Sequence, residues 1–497
     1  MFFKRLIVSF LARKNKKAVD AWSKKSVDNQ EKIFTKLVTT LAETKYGKKI
    51  GANKKMSLFD FQKKSPINSY EDLSPYIKLI SMGEKNVLWP GRPAYFAKTS
   101  GTTSGVKFIP LTTEMLKNQI NSSKEALLLY AFYQKKFEAI NGKMMFVQGS
   151  PILKKYGKIK TGRLSGIVAN HIPFFLQSNR LPSFKTNSIE NWEKKTENII
   201  NETIGCDLRL IGGIPPWVIM YFQSILKKTH KENINVVFPN LSLYVHGGVN
   251  FKPYKNTLRS LLPNVDFLEL YPASEGFFAY QDDIKDDGLL LLTNHGVFYE
   301  FIESNEFLKG EGQRITLKDV VLGKNYVLII STCSGLWSYN IGDTVMFVNL
   351  NPYKIVITGR IKHYISAFGE HVISKEVETA LDLCLTKFGG EVFSFTVCPN
   401  ISPKNGLPHH DWFIEFIKKP TNFSSFCEYL DTSLRKQNIY YNDLVKNNII
   451  KPLVVNCVKV GSFNNYMKSI DKLGGQNKCP SISNDRKIGN FLSNYLI

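Results

Sequence analysis

At 497 residues, 43% hydrophobic and 12% aromatic, the chain is too long for one hydrophobic core and too apolar to be disordered, so two domains are expected, the first large enough to be subdivided. It contains no uncharged apolar run of about 18 residues, which argues against a membrane-spanning helix. The net charge of +24 attracts anions in general. However, the lysines are spread along the whole chain, often in pairs, which favours a solvated lysine-rich surface over a nucleic-acid-binding stripe, and no specific nucleic acid is expected.

The opening MFFKRLIVSFLARKNKK has a short apolar stretch that runs into a basic cluster with no small-residue cleavage site. It reads as the first helix of a cytoplasmic protein, with an uncleaved surface anchor as the other reading. Residues 16–46 predict a helix, because Ala21, Val27, Ile33, Leu37, Val38 and Leu41 recur at near-helical spacing. Ser69 can cap another helix, with Asp72 in its first turn and Leu73 and Ile77 on its apolar face. From about residue 86, short apolar runs alternate with helix-like stretches, the mark of an α/β domain. Strands are expected at 95–97, 144–147, 208–211, 241–245, 288–292, 297–302, 326–331, 344–348 and 354–358. A boundary is placed at 359–363, dividing the chain into 1–360 and 361–497. Beyond it, Ser374 can cap a helix with Val377, Ala380, Leu381 and Cys384 on one face. Strands at 392–397 and 412–416 complete a smaller α+β domain.

The seven cysteines, at 206, 333, 384, 398, 427, 457 and 479, form no CxxC pair, which argues against a zinc site or disulfide framework. Ordinary buried thiols in a reducing compartment are expected. No G-x-S-x-G nucleophile elbow is present, and the eight histidines form no obvious triad or metal cluster.

The stretch KTSGTTSGVKFIPLT, residues 98–112, raises a sharper question. Glycines let backbone N–H groups converge on an anion. Ser100, Thr102, Thr103 and Ser104 add hydroxyls, and Lys107 adds a charge. The bland alternative is a hydroxyl-rich hairpin turn between two strands. It is not the nucleotide-kinase loop, because Gly101 is followed by Gly105 and then Val106 rather than by Gly-Lys-Ser/Thr.

The same stretch resembles the phosphate-binding motif of the adenylate-forming superfamily of acyl-CoA synthetases and firefly luciferase. It is closer still to the Gretchen Hagen (auxin-responsive) family of acyl-acid amido synthetases, in its bacterial-type form. HGGVNFKPY at 246–254 is similar to that family's adenine-side segment. YPASEG at 271–276 matches Y-x-x-S-E, and YNIGD at 339–343 matches Y-x-x-G-D. TGRIKHYISAFGEHVISKEVE matches the hinge region, and GGQNKCP at 474–480 resembles the C-terminal lysine motif. The motifs stand in family order over nearly the whole chain.

The resemblance implies an α/β fold: a large N-terminal adenylate-forming domain, with mixed β-sheets flanked by helices, and a small mobile C-terminal α+β domain. It implies ATP and Mg²⁺, a small-molecule carboxylic acid, an amine acceptor, and a monomer or weak dimer. In that scheme Ser100, Gly101, Thr102, Thr103, Ser104, Gly105 and Lys107 hold the β- and γ-phosphates. Gly248, Val249 and Tyr271 face the adenine, and Ser274 binds the α-phosphate. Glu275 serves the magnesium, and Asp343 accepts from both ribose hydroxyls. Arg360 follows the nucleotide site, Lys362 is the hinge, and Lys478 is the mobile catalytic lysine. Ile214, Trp217 and Phe298 line an apolar acyl pocket, which favours an apolar or aromatic acid. Each role has a plain alternative: Ser-Glu often starts a helix, Gly-Asp is often only a turn, and Lys478 is one lysine among many. One departure stands out: relatives follow the lysine motif with proline and arginine, whereas here Pro480 precedes Ser481. A thioester-forming ligase and a catalytically degenerate binding protein remain the rival readings.

Overall fold

The computed structural model describes every residue except Met1, 101–105, 141, 173–176, 178, 190, 249–250, 252–253, 362–363, 366, 369, 371, 404 and 474–476. Helices α1 (Phe2–Ser23), α2 (Ser26–Leu41), α3 (Lys45–Lys49), α4 (Leu58–Lys64) and α5 (Tyr70–Ser81) open the chain. The turn at 24–25 corrects the expectation of a single helix over 16–46. An unbroken helix over 2–41 would run about 60 Å, so the chain folds back. Val19 then packs in one cluster, and Leu37, Val38 and Leu41 pack in another. Gln30 fastens α2 in place, with its side-chain amide donating to the carbonyls of Thr293 and Val297, both at 2.9 Å. Ser69 and Asp72 cap α5 reciprocally, as the spacing predicts.

Strands β1 (Tyr95–Ser100) and β2 (Val106–Leu111) form an antiparallel hairpin in register from Tyr95↔Leu111 to Ser100↔Val106. Thr112 then caps the long helix α6 (Thr113–Gln134), accepting the Met115 N–H at 3.1 Å. Strand β3 (Lys143–Val147) belongs to the main sheet, while β4 (Lys154–Tyr156) and β5 (Ile159–Gly162) extend the hairpin into a four-stranded sheet. The remaining strands of the main sheet are β6 (Arg180–Leu181), β7 (Leu208–Gly213), β8 (Leu243–Gly247), β9 (Asp266–Pro272), β10 (Phe277–Tyr280), β11 (Leu289–Leu291), β12 (Val297–Glu303), β13 (Asn325–Thr332), β14 (Tyr339–Leu350) and β15 (Tyr353–Arg360). Among the described residues it has eleven strands in the order β12-β13-β14-β15-β11-β10-β9-β8-β7-β3-β6. It is parallel from β6 through β9 and antiparallel in the β9–β10–β11 and β12–β13–β14 pairings.

After β15, the short strands β16 (Tyr364–Ile365) and β17 (Val372–Ile373) lead into a helix, Ser374–Phe388. Ser374 is its first residue rather than its cap: the Glu376 carboxylate takes the Ile373 N–H at 3.0 Å. Strands β18 (Glu391–Asn400), β19 (His409–Lys418) and β20 (Val454–Cys457) form a three-stranded sheet. Val377, Leu381, Trp412 and Ile414 contribute to a core of their own.

Packing divides the chain into two compact units. One comprises Met1–Gly213, Phe238–Gly248 and Val265–Ile357, and the other Ile214–Val237, Val249–Asn264 and Thr358–Ile497. The second unit therefore takes two excursions from the middle of the sequence, which no composition shift marks.

Candidate active site

In open α/β sheets, ligands sit in the crevice outside the carboxyl ends of the parallel strands. Here that place is the end of β8 and the β9–β10 turn. Gly247 ends β8 opposite Leu270. A Cβ there would stand 2.2 Å from the Leu270 carbonyl oxygen, so only glycine permits the pairing. Gly248 follows at φ +83°, a conformation that glycine adopts without strain. Val249 lies outside the described residues. His246, one residue earlier, is buried, and desolvation pushes its pKa down to about 3, so it is a neutral imidazole at physiological pH.

Ser274 and Glu275 occupy the tight turn between β9 and β10, both half-buried. The turn is closed by Ala273 N–H to Gly276 O at 2.8 Å and the reverse bond at 3.3 Å. The Gln119 side chain on α6 donates to the Ala273 carbonyl at 2.8 Å and clamps the turn to that helix. Gln119 carries no motif, and sequence reasoning missed it. Its only signal is a buried polar residue on a helix, visible once the fold is known.

Asp343 owes its position to a bulge. In the β13–β14 pairing, Val327 opposes Thr344 and Ile329 opposes Asn340, which leaves Ile341, Gly342 and Asp343 against Leu328 alone. Gly342 takes φ +85° there, and the Asn340 side chain accepts its N–H at 2.8 Å. A bulge re-aims a side chain out of a regular ladder. The result is a 2.6 Å hydrogen bond from the Tyr271 hydroxyl to the Asp343 carboxylate, with both residues buried. In a flat sheet, the four strand steps from β14 to β9 would separate them by about 19 Å. The sheet therefore curls strongly to join two motifs that lie 72 residues apart in sequence. Phe278 packs edge-on against the Tyr271 ring at 5.1 Å.

The hydroxyl-rich stretch falls in sequence between β1 and β2. Gly101, Thr102, Thr103, Ser104 and Gly105 lie outside the described residues, as does the Ser100 side chain. The base of the hairpin is firmly held. Thr99 pairs with Lys107, the Phe108 N–H donates to the Tyr70 hydroxyl at 3.0 Å, and the Lys107 ammonium lies 5.3 Å from the Tyr70 ring centroid. Phe298 is buried on β12, its ring 4.9 Å from that of Phe34.

Ile214, Trp217, Arg360 and Lys478 belong to the second unit. Trp217 is buried, and its indole N–H donates to the Asn477 carbonyl at 2.9 Å, anchoring the residue before Lys478. Asn477 in turn donates to the Lys472 carbonyl at 2.7 Å. Lys478 itself is exposed, as is Arg360; Lys362 lies outside the described residues. Ser481, which follows Pro480, donates to the Glu378 carboxylate at 2.9 Å. The position thus stays tied to the helix Ser374–Phe388 by a short neutral donor.

Among the described residues, no cluster of three or more His, Cys, Asp or Glu could hold a metal ion unaided. Glu275 offers a half-buried carboxylate beside a hydroxyl. That hard oxygen donor suits Mg²⁺, which commonly takes one or two carboxylates and completes its octahedron with phosphate and water. The residues present therefore fit a magnesium ion shared with a nucleotide.

Three family profiles match the chain: the GH3 family N-terminal domain over residues 15–190 and 158–267, the central domain over 290–360, and the C-terminal domain over 373–487. The chain belongs to the GH3 family. Its relatives include jasmonoyl–L-amino acid synthetase JAR4 of Nicotiana attenuata, 24% identical over 90% of this chain and 88% of that one. Another is the 4-substituted benzoates–glutamate ligase GH3.12 of Arabidopsis thaliana, 22% identical over 91% and 92%. Among solved structures, GH3.15 acyl acid amido synthetase superposes with a TM-score of 0.81 at 16% identity, covering 97% of this chain and 96% of that one. A 2-hydroxyisobutyryl-CoA ligase in its postadenylation state gives 0.61 at 11% identity, covering 94% and 90%. The fold is thus shared across almost the full length with a GH3 acyl acid amido synthetase and with a 2-hydroxyisobutyryl-CoA ligase.

Proposed function

We propose that this GH3 chain is an AMP-producing ligase that joins a carboxylic acid to an amine, an amino acid being the acceptor class. In the first half-reaction a carboxylate oxygen attacks the α-phosphorus of ATP, the bond to the β-phosphate oxygen breaks, and pyrophosphate leaves. In the second, the amine nitrogen attacks the acyl carbon, AMP departs, and the amine proton passes to solvent. The observation that carries this reading is the Tyr271–Asp343 hydrogen bond. Through it the Y-x-x-S-E and Y-x-x-G-D motifs meet beside the Ser274–Glu275 turn, at the carboxyl ends of the parallel strands.

The chain's own groups take the following roles. Backbone amides and hydroxyls of Ser100, Gly101, Thr102, Thr103, Ser104 and Gly105, with Lys107, hold the departing phosphates by converging donors on charge. Tyr271, Gly248 and Val249 border the adenine, and the bond from Tyr271 orients Asp343, which accepts from the ribose hydroxyls. Ser274 donates to the α-phosphate. Glu275 would hold Mg²⁺, whose charge screens the phosphates when it is bound. Lys478 neutralises the oxygens of the acyl–phosphate linkage, Arg360 supports the phosphate end, and Lys362 is the hinge about which residues 361–497 turn between half-reactions. Ile214, Trp217 and Phe298 wall an apolar acyl pocket.

No helix among the described residues is long and apolar enough to cross a membrane, and the cysteines are free thiols. Both features support a cytoplasmic location. The test is acid-dependent exchange of labelled pyrophosphate into ATP across aliphatic, aromatic and fatty acids, followed by single turnover with amino acids or coenzyme A as acceptor. Exchange followed by amide formation is the expected result. Transfer only to coenzyme A would make the chain a thioester ligase, and no exchange with any acid would make it a binding protein.

A further inference from the structure

Helix α1 has two unlike faces. Towards the protein, Ala12 and Val19 are buried, Asn15 donates to the Glu125 carbonyl at 3.0 Å, and Arg5 pairs with Glu138 at 3.5 Å. On the opposite side Leu6 is 52% exposed, Ile7 45%, Phe10 67% and Leu11 37%. The spacings 6/10 and 7/11 place these four in one stripe on adjacent turns. Single exposed apolar side chains are ordinary, but a contiguous patch marks an interaction site.

The charge around the stripe identifies what covers it. Residues 2–19 contain no Asp or Glu and six Lys or Arg. Arg5 is matched to Glu138, and Lys16 to Asp20. Arg13, Lys14 and Lys17 are exposed on the turns that follow the stripe and have no carboxylate partner among the described residues. A second copy of this helix would set cations against cations in a two-fold contact, and a nucleic acid would leave the apolar stripe unburied.

We propose that the outward face of α1 is a docking surface for an anionic lipid membrane. Leu6, Ile7, Phe10 and Leu11 enter the boundary between headgroups and acyl chains, and Arg13, Lys14 and Lys17 lie against the lipid phosphates. The contact is interfacial and reversible, as a single four-residue apolar stripe on a helix dictates. It would hold the enzyme where apolar acids partition.

The experiment is co-sedimentation of the full chain with vesicles of phosphatidylcholine alone and of phosphatidylcholine mixed with phosphatidylglycerol. The chain should pellet with the mixed vesicles and be released by salt. The double substitution Lys14→Ala/Lys17→Ala should weaken binding about twenty-five-fold, roughly fivefold per lysine. Phe10→Glu should abolish binding with no change in thermal midpoint, since that side chain makes little contact with the fold. A chain that stays in the supernatant with mixed vesicles would overturn the proposal, as would binding indifferent to both variants. So would a dimer in light scattering that Phe10→Glu dissolves, because the stripe would then belong to a second copy.

Discussion

At the scale of single residues, the site depends on a few atoms whose neighbours are now known. Glu275→Ala and Asp343→Ala should each abolish pyrophosphate exchange, a loss of about a hundredfold or more. Thermal unfolding should be unchanged in the Glu275 variant, whose side chain is half-buried in a turn closed by backbone bonds. Tyr271→Phe keeps the ring against Phe278 and removes the bond to Asp343. Losing a hydrogen bond to a charged group should raise the KM for ATP about tenfold. Retention of wild-type KM would show that Asp343 needs no orienting partner. The Y-x-x-S-E and Y-x-x-G-D motifs that contain Tyr271, Glu275 and Asp343 were legible in the sequence because each is a fixed local spacing, and the roles proposed for those residues are what these variants test. Gln119 was not legible, because its partner, the Ala273 carbonyl, is 154 positions away.

At the scale of elements, two local devices are open to test. Gly342 sits at φ +85° with open space where a side chain would point, so Gly342→Ala tests backbone strain without a clash. It should cost about 1 kcal/mol in denaturant unfolding and misdirect Asp343, with the activity falling further than the stability. The second device is the start of the helix Ser374–Phe388. Burial pushes the Glu376 carboxyl up to about 7 from the ordinary 4.5, against the opposing pull of Asn438, the Ile373 N–H and Lys375. The folded state therefore holds this proton more tightly than the unfolded chain. The resulting stabilisation is complete below about 4.5 and is lost as pH rises through about 7. The denaturation midpoint of the wild-type chain should fall across that window more than that of Glu376→Gln, which mimics the protonated form. Equal slopes would contradict the assignment. The sequence placed most strands and the Ser69–Asp72 cap, since alternation and capping are local. It mislaid the turn at 24–25 and the start of β14, because one serves the packing of two clusters and the other is a bulge within a strand.

At the scale of the whole molecule, the division of labour between the two half-reactions is the property to test. Lys478→Ala should abolish acid-dependent pyrophosphate exchange yet still aminolyse a supplied acyl-adenylate, because the lysine is assigned to the first step alone. Loss of both steps would make Lys478 a structural residue, in keeping with the anchoring of Asn477 by Trp217. The charge of +24 should give only weak duplex binding without sequence preference, falling steeply with salt. The sequence by itself determined the ordered motifs, the α/β alternation and the family resemblance, because each rests on residues within a few positions of one another. Only the tertiary structure decided that the β9–β10 turn hangs from α6, that segments 214–237 and 249–264 pack with the C-terminal residues, and that Tyr271 meets Asp343. Those facts depend on how a curled sheet and separate apolar clusters bury area, and burial between distant segments leaves no local mark in the order of residues.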